Sequence, residues 1–339
     1  MKKVTMMDVA KEAGVSKSTV SQYINNRFEY MSQETRERIE QSIKDLGYIP
    51  NFIAKSLKQK KTSTIGVIVA NILHAFSTEI IRSIEDVAGE HHVHVFVCNA
   101  DDNPEKEKEY IEMLLAKQVD GLIILPTGGN IELYCSLKKM KFPIVFMDRK
   151  IQPTLYPTLL LDNHSAAELA VTELIRAGNK RIGFISSTIL PQVTPRMERL
   201  EGYRHTLMLN DLQVNEQWVV QGKAEAIREQ LSELYESGSF PDAIFTANDL
   251  SLIELLKFTK QHAIQIPEDL RVVTIDDSPY LDAFTPSITV VKQPTFVMGK
   301  EAATLLLKLI KHPIFKEEYD AKRFTPELIK RESIQMERI

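Results

Sequence analysis

The sequence predicts two architectures in one chain: an all-α helix-turn-helix head, then an α/β core of two doubly wound parallel-sheet subdomains. Three observations predict this. Before residue 50, apolar residues recur at helical spacing around a glycine. From Ile65 onward, short apolar runs alternate with longer amphipathic stretches, as in βαβ units with a buried parallel sheet. Near residue 158 the alternation restarts with similar order and length, which gives two such units side by side with a cleft between them.

The head comes first. Thr5-x-x-Asp8 has the form of a capping box, and Met6, Val9, Ala10 and Ala13 follow along one helical face. Gly14 supplies the backbone freedom for a tight turn. Ser16 is placed to cap a second helix whose apolar face is Val20, Tyr23 and Ile24. Ser32 can cap a third, with Glu34 in its first turn, a buried stripe of Ile39, Ile43 and Leu46, and Gly47 as its stop. Two short helices around a glycine turn form the layout whose second helix enters the DNA major groove, though an ordinary helical hairpin has the same spacing.

The residues themselves go further. VTMMDVAKEAGVSKSTVSQYIN, the TRERI of the third helix and GYIPNFIAKSL resemble the DNA-binding domain of the lac-repressor (LacI/GalR) family. The resemblance covers nearly the whole chain. It implies a hinge helix at NFIAKSL that docks in the minor groove through Asn51, Ala54 and Leu57, with Leu57 wedged into a base step. It also implies a periplasmic-binding-protein-like core and a homodimer on double-stranded operator DNA.

Whole-chain properties fit that layout. A length of 339 residues suits two or three domains, and 43% hydrophobic with 26% charged residues is ordinary for a globular protein. MKKVTMMDVAKE runs directly into a polar amphipathic helix, which argues against a secretory signal and for the cytoplasm. No apolar run approaches membrane-spanning length, so no membrane partner is expected. Cys98 and Cys135 lack ligand-like spacing and read as free thiols. Residues 1–61 hold 12 basic and 7 acidic residues, against 30 and 39 in the rest. A basic head on an acidic body suits a polyanion-binding module.

Residues 1–49 are therefore the head, 50–61 the hinge helix and linker, and 62–339 the effector-binding and dimerisation core. In the core, IGVIVA, VHVFVC, GLIIL and PIVFMD read as strands of an N-subdomain (about 62–161 and 293–320), with a helix from about Ser77 to His91. TLLLDN, RIGFIS, QWVVQ, AIFTAND and RVVTIDD carry the C-subdomain (about 162–292 and 321–339). The resemblance implies three chain crossings between subdomains, near Asp162, near Val291–Gln293 and around Tyr319–Phe324. No metal-ligand cluster, catalytic triad context or phosphate-binding loop stands out; no cofactor or metal is expected, and an enzyme reading has nothing specific behind it. His91, His92 and His94 read as a solvated turn, and Trp218 as core or edge packing.

Ligands of open α/β sheets bind beyond the carboxyl ends of the strands. There lie Asp148, Asn248, Asp249, Asp276 and Asp277, with Asn71, His74 and Phe76 after the first strand and Arg199 where a helix should begin. Carboxylates and amides exchange hydrogen bonds with hydroxyls, an arginine offers a fork, and an aromatic ring packs on C–H surface. The resemblance selects Asp148, Arg199, Asn248 and Asp276 as effector contacts with Phe76 packed on the ligand, and Arg196 is a second candidate arginine in the loop. Asp249 reads instead as the cap of the next helix. On the head, Lys17 and Ser18 open the recognition helix, with Gln22 one turn on. Ser16, Thr19, Ser21, Asn25, Thr35 and Arg36 are candidate phosphate contacts. Gln22 stands where arginine is commoner, which favours adenine over guanine readout, and NNRFEYMS is a residue longer than in the lac repressor itself.

The expected function is a ligand-responsive regulator, a repressor of carbohydrate catabolism genes. A solute receptor without gene regulation is the alternative. Family members take sugars, sugar phosphates, sugar acids, nucleosides or purines. A faint resemblance to repressors of 2-keto-3-deoxygluconate genes points to a sugar acid, and inducer or corepressor action stays open.

Overall fold

The computed structural model describes residues 4–48, 62–190 and 193–335. The chain divides into two compact units at Thr62–Ser63, a head and a core, each described by itself.

Among the described residues the head has three helices: α1 (Met6–Glu12), α2 (Lys17–Ile24) and α3 (Gln33–Leu46). Each starts on a hydroxyl cap. Thr5 and Asp8 form a reciprocal capping box, Ser16 Oγ accepts the Thr19 N–H at 3.1 Å, and Ser32 Oγ accepts that of Thr35 at 3.3 Å. Gly14 and Gly47 take φ of 64° and 58°, the left-handed turn that a side chain disfavours. Val9, Ala10, Ala13, Val20, Ile39 and Tyr48 form the buried centre, ringed by Met6, Tyr23, Ile24, Ile43 and Leu46.

The core begins with β1 (Thr64–Val69), α4 (Ala75–Glu90), β2 (His94–Asn99), α5 (Pro104–Ala116), β3 (Leu122–Ile124), α6 (Ile131–Lys139), β4 (Ile144–Met147) and β5 (Thr158–Leu161). It crosses at Asp162 into α7 (Asn163–Arg176), β6 (Ile182–Ser187), α8 (Thr194–Leu209), β7 (Val219–Gly222), α9 (Ala224–Glu236), β8 (Ala243–Thr246), α10 (Asp249–Gln261), β9 (Arg271–Ile275), α11 (Pro279–Asp282) and β10 (Thr289–Lys292). α12 (Thr295–Lys311) and β11 (Ala321–Phe324) return to the first lobe, and β12 (Glu327–Ile329) ends in the second. The sheet orders are β11-β5-β4-β3-β1-β2 and β12-β10-β9-β8-β6-β7. Every pair is parallel except β10 with β12.

Three expectations need correction. The segment from residue 321 belongs first to the N-lobe: β11 pairs with β5, Ala321 opposite Thr158, so the third crossing falls at Thr325–Pro326. Helix α8 starts at Thr194, with Pro195 in its first turn, so Arg196 is helical and not in a loop. Strand β2 is not buried on both faces: as a sheet edge it leaves Phe96 and Val97 about two-fifths exposed.

Helices α4 and α12 pack face to face where Gly299 meets Ser83; a Cβ there would lie 1.8 Å from Ser83 Oγ. Gly299→Val should therefore force the helices apart and cost about 1–3 kcal/mol of core stability. Urea unfolding followed by circular dichroism checks this, and an unchanged midpoint would contradict it.

Candidate functional site

Two surfaces gather the residues singled out in the sequence. On the head, Lys17 and Ser18 are exposed at the first turn of α2, and Gln22 lies a turn later, half-buried. Ser16 Oγ also meets Thr19 Oγ1 at 2.8 Å, and Ser32 Oγ donates to Thr35 Oγ1 at 2.9 Å. Both pairs sit at helix N-termini, whose partial positive charge favours an anion. Asn25 Nδ2 donates to the Ser21 carbonyl at 2.7 Å, so part of its amide is already engaged. Arg36 is exposed, with its guanidinium carbon 3.9 Å from the centroid of the Phe28 ring. Asn51, Ala54 and Leu57 lie outside the described residues.

In the core, one cleft between the lobes is lined by all six expected side chains: Phe76, Asp148, Arg196, Arg199, Asn248 and Asp276. The parallel topology explains the convergence, because β1, β4, β8 and β9 all end at this edge. Asp148 and Asp276 sit just past β4 and β9 with φ of 67° and 81°, a left-handed turn that aims each carboxylate into the cleft. Buried Arg199 gives Nε to Asn163 Oδ1 at 2.8 Å and Nη1 to the Ala247 carbonyl at 2.6 Å, and pairs with no carboxylate among the described residues. Gln293 Nε2 donates to Asp276 Oδ1 at 2.5 Å.

The lobes also bond directly across the cleft. Asp249 of the C-lobe accepts the Ala75 N–H at 2.7 Å and meets His74 Nδ1 at 2.6 Å. Asp102 of the N-lobe bridges Arg149 Nη2 at 2.5 Å and the C-lobe's Arg196 Nη2 at 3.4 Å. Burial pushes the Asp102 carboxyl up, but the two guanidinium groups overcome this and hold it below the ordinary range.

Comparison with known proteins then decides the family. Residues 5–51 match the model for bacterial regulatory proteins of the lacI family, and residues 171–334 match a periplasmic binding protein-like domain. A probable HTH-type transcriptional regulator, EndR of Paenibacillus polymyxa, is 44% identical over 333 residues, 97% of this chain and 98% of its own. The chain belongs to the lacI family. It is a DNA-binding transcriptional regulator. Among solved structures, the lac repressor dimer bound to operator and the anti-inducer ONPF matches with a TM-score of 0.83 at 26% identity, covering 99% of this chain and 100% of that one. The transcriptional regulator CelR–cellobiose complex matches at 0.71 and 27%, covering 98% and 100%. No helix among the described residues is long and apolar enough to cross a membrane, and no group of metal-ligating side chains gathers among them.

For this lacI-family member, the cap of α10 needs correction. Asn248, not Asp249, caps α10: its Oδ1 accepts the Ser251 N–H at 2.9 Å, and Ser251 returns the bond. Asn248 still lines the cleft, while Asp249 is released to bind the other lobe. Asp102, Arg149 and Gln293 were missed. Arg149 follows the strand-end Asp148 directly, and Asp102 stands beyond the end of β2, so the strand-end rule could have found both.

Burial pushes the Asp276 carboxyl up to about 6, the neighbouring charge of Asp249 adds to this, and Arg199 and Gln293 oppose it. The ordinary value is 3.8. The folded chain thus holds a proton that the unfolded chain has lost, and this group's stability contribution, full below about pH 4, disappears as pH rises through about 6. Asp276→Asn keeps the Gln293 bond and removes the buried charge. It should stabilise the core by on the order of 1–3 kcal/mol at pH 7.5 and by little at pH 4.5. Thermal melts at the two pH values test this, and an equal gain at both would contradict it.

Proposed function

We propose that this regulator is a homodimeric repressor of carbohydrate catabolism genes, acting in the cytoplasm and released from a two-fold operator by a small carbohydrate or sugar-acid effector held in the core cleft. The observation that carries the reading is that hydroxyl-reading carboxylates and amides, a ring and an arginine with no ion pair among the described residues converge between two lobes. Phe76 packs on the ligand's C–H face, Asp148 and Asp276 accept its hydroxyls, Asn248 adds an amide, and Arg199 supplies the charge-assisted bond. Arg196, tied to Asp102, closes the lobes over the ligand. A ligand carboxylate would complete the pairing of Arg199, which makes 2-keto-3-deoxygluconate the first acid to try.

On the operator, Lys17, Ser18 and Gln22 read base edges. Ser16, Thr19, Ser21, Asn25, Thr35 and Arg36 hold phosphates, and Asn51, Ala54 and Leu57 serve the minor groove. The solved complexes of the lac repressor with operator and of CelR with cellobiose support both halves of the reading. A receptor without gene regulation has no use for the helical head.

A duplex selected from a random pool by the wild-type protein tests the head. Log affinity should fall with log salt at about −0.9 per phosphate neutralised. A flat salt dependence would overturn the proposed phosphate contacts.

A thermal-shift screen of sugars and sugar acids finds the effector, since a ligand at about 100 times its Kd raises stability by roughly 2.7 kcal/mol. Arg199→Lys keeps the charge but loses the fork, so it should weaken that ligand roughly ten- to a hundred-fold while leaving affinity for the duplex intact. Wild-type ligand affinity in this variant would remove Arg199 from the site.

A further inference from the structure

We propose that Phe28 is a positioning residue for DNA binding: its ring fixes the Arg36 guanidinium by its face and leaves the N–H edge free for a phosphate oxygen. The inference rests on the reading of Arg36 as a phosphate contact, and names the group that prepares it.

Phe28 lies in the connection between α2 and α3. Its half-buried ring stands edge-on to Tyr23 of α2, with centroids 5.8 Å apart and planes at 69°. Against the same ring lies Arg36 of α3, its guanidinium carbon 3.9 Å from the centroid. The ring therefore ties a cation on the third helix to the helix proposed to read the bases. A cation–π contact engages the flat face of the guanidinium and consumes none of its five donors.

Arg36 makes no ion pair or side-chain hydrogen bond among the described residues, whereas Lys44 on the same helix is held by Glu40 at 2.8 Å. The exposed arginine is thus held in place with its hydrogen-bonding capacity unspent. Such pre-organisation lowers the side-chain ordering that binding would otherwise require.

The test uses the full-length dimer, the selected duplex, and four variants: Arg36→Gln, Phe28→Leu, Phe28→Tyr and the double Phe28→Leu/Arg36→Gln. Arg36→Gln should shrink the salt slope by about 0.9 per head. Phe28→Leu should weaken binding by roughly five- to thirty-fold for a dimer with two heads, and Phe28→Tyr, which keeps the ring, should bind as wild type. In the Arg36→Gln background the Leu substitution should have no further effect. An equal loss in that background means that the ring serves only the packing of the head, and the proposal fails while the phosphate contact stands. Full affinity in Phe28→Leu likewise overturns it. An unchanged slope in Arg36→Gln removes the phosphate contact and the proposal together.

Discussion

Asp249 gives one lobe's carboxylate to the other lobe's backbone and histidine, and bonds of this kind are what span the cleft. The core's four apolar clusters divide two to a lobe; only Leu161, at the first crossing, is an N-lobe strand residue in a C-lobe cluster. Between the lobes stand Asp249 with His74 and Ala75, Asp102 with Arg196, Glu198 with Arg323, and Thr194 Oγ1 accepting from the Lys150 N–H. Each such bond contributes on the order of 0.5–3 kcal/mol net, because water replaces either partner when it breaks. A shared apolar core would have glued the lobes shut. Polar bonds of this kind can break without exposing either apolar core.

The same bonds explain why the cleft tolerates so many charges. A carboxylate taken out of water needs partners: half-buried Asp102 has two guanidinium groups, and buried Asp249 has a histidine and two backbone N–H groups. Arg149 in turn rests on the Pro126 carbonyl, at the start of a loop pinned by buried Glu107 through the Thr127 N–H and Asn130. Asp276 is the exception. Its side-chain partner is a neutral amide, and burial beside Asp249 raises its proton affinity. On the proposed reading, this under-compensated carboxylate at a strand end is stability given up for binding.

Much of this was legible in the sequence because periodicity and strand direction are local. Helix caps, alternating elements and the edge at which parallel strands end follow from residue spacing; that edge rule gave a wider set without Arg196, the family resemblance chose among it, and the six residues so proposed line one cleft. What escaped depended on partners distant in sequence. Asn248 and Asp249 can both cap a helix; the choice was made by His74 and Ala75, some 174 residues away. Arg149 and Asp102 find each other across 47 residues. The third crossing slipped because Ala321–Phe324 adds to one sheet and Glu327–Ile329 to the other, and a short strand does not announce its sheet.

The arrangement also constrains what can act as an effector. A ligand shifts a two-state equilibrium only through unequal affinity for the two states. Phe76 and Asp148 belong to the N-lobe, and Arg199, Asn248 and Asp276 to the C-lobe. A molecule touching one set alone binds the open and closed cores alike and shifts nothing, however tightly it holds. One that touches both gains its second set of bonds only on closure. Each charge-assisted bond in that second set contributes about 1.5–3 kcal/mol, so two of them approach the ~5.5 kcal/mol that carries a population from 1:99 to 99:1. On the proposed reading, control therefore selects for ligand span as well as chemistry: an effector would place an acceptor at Arg199 while its other end reaches Asp148.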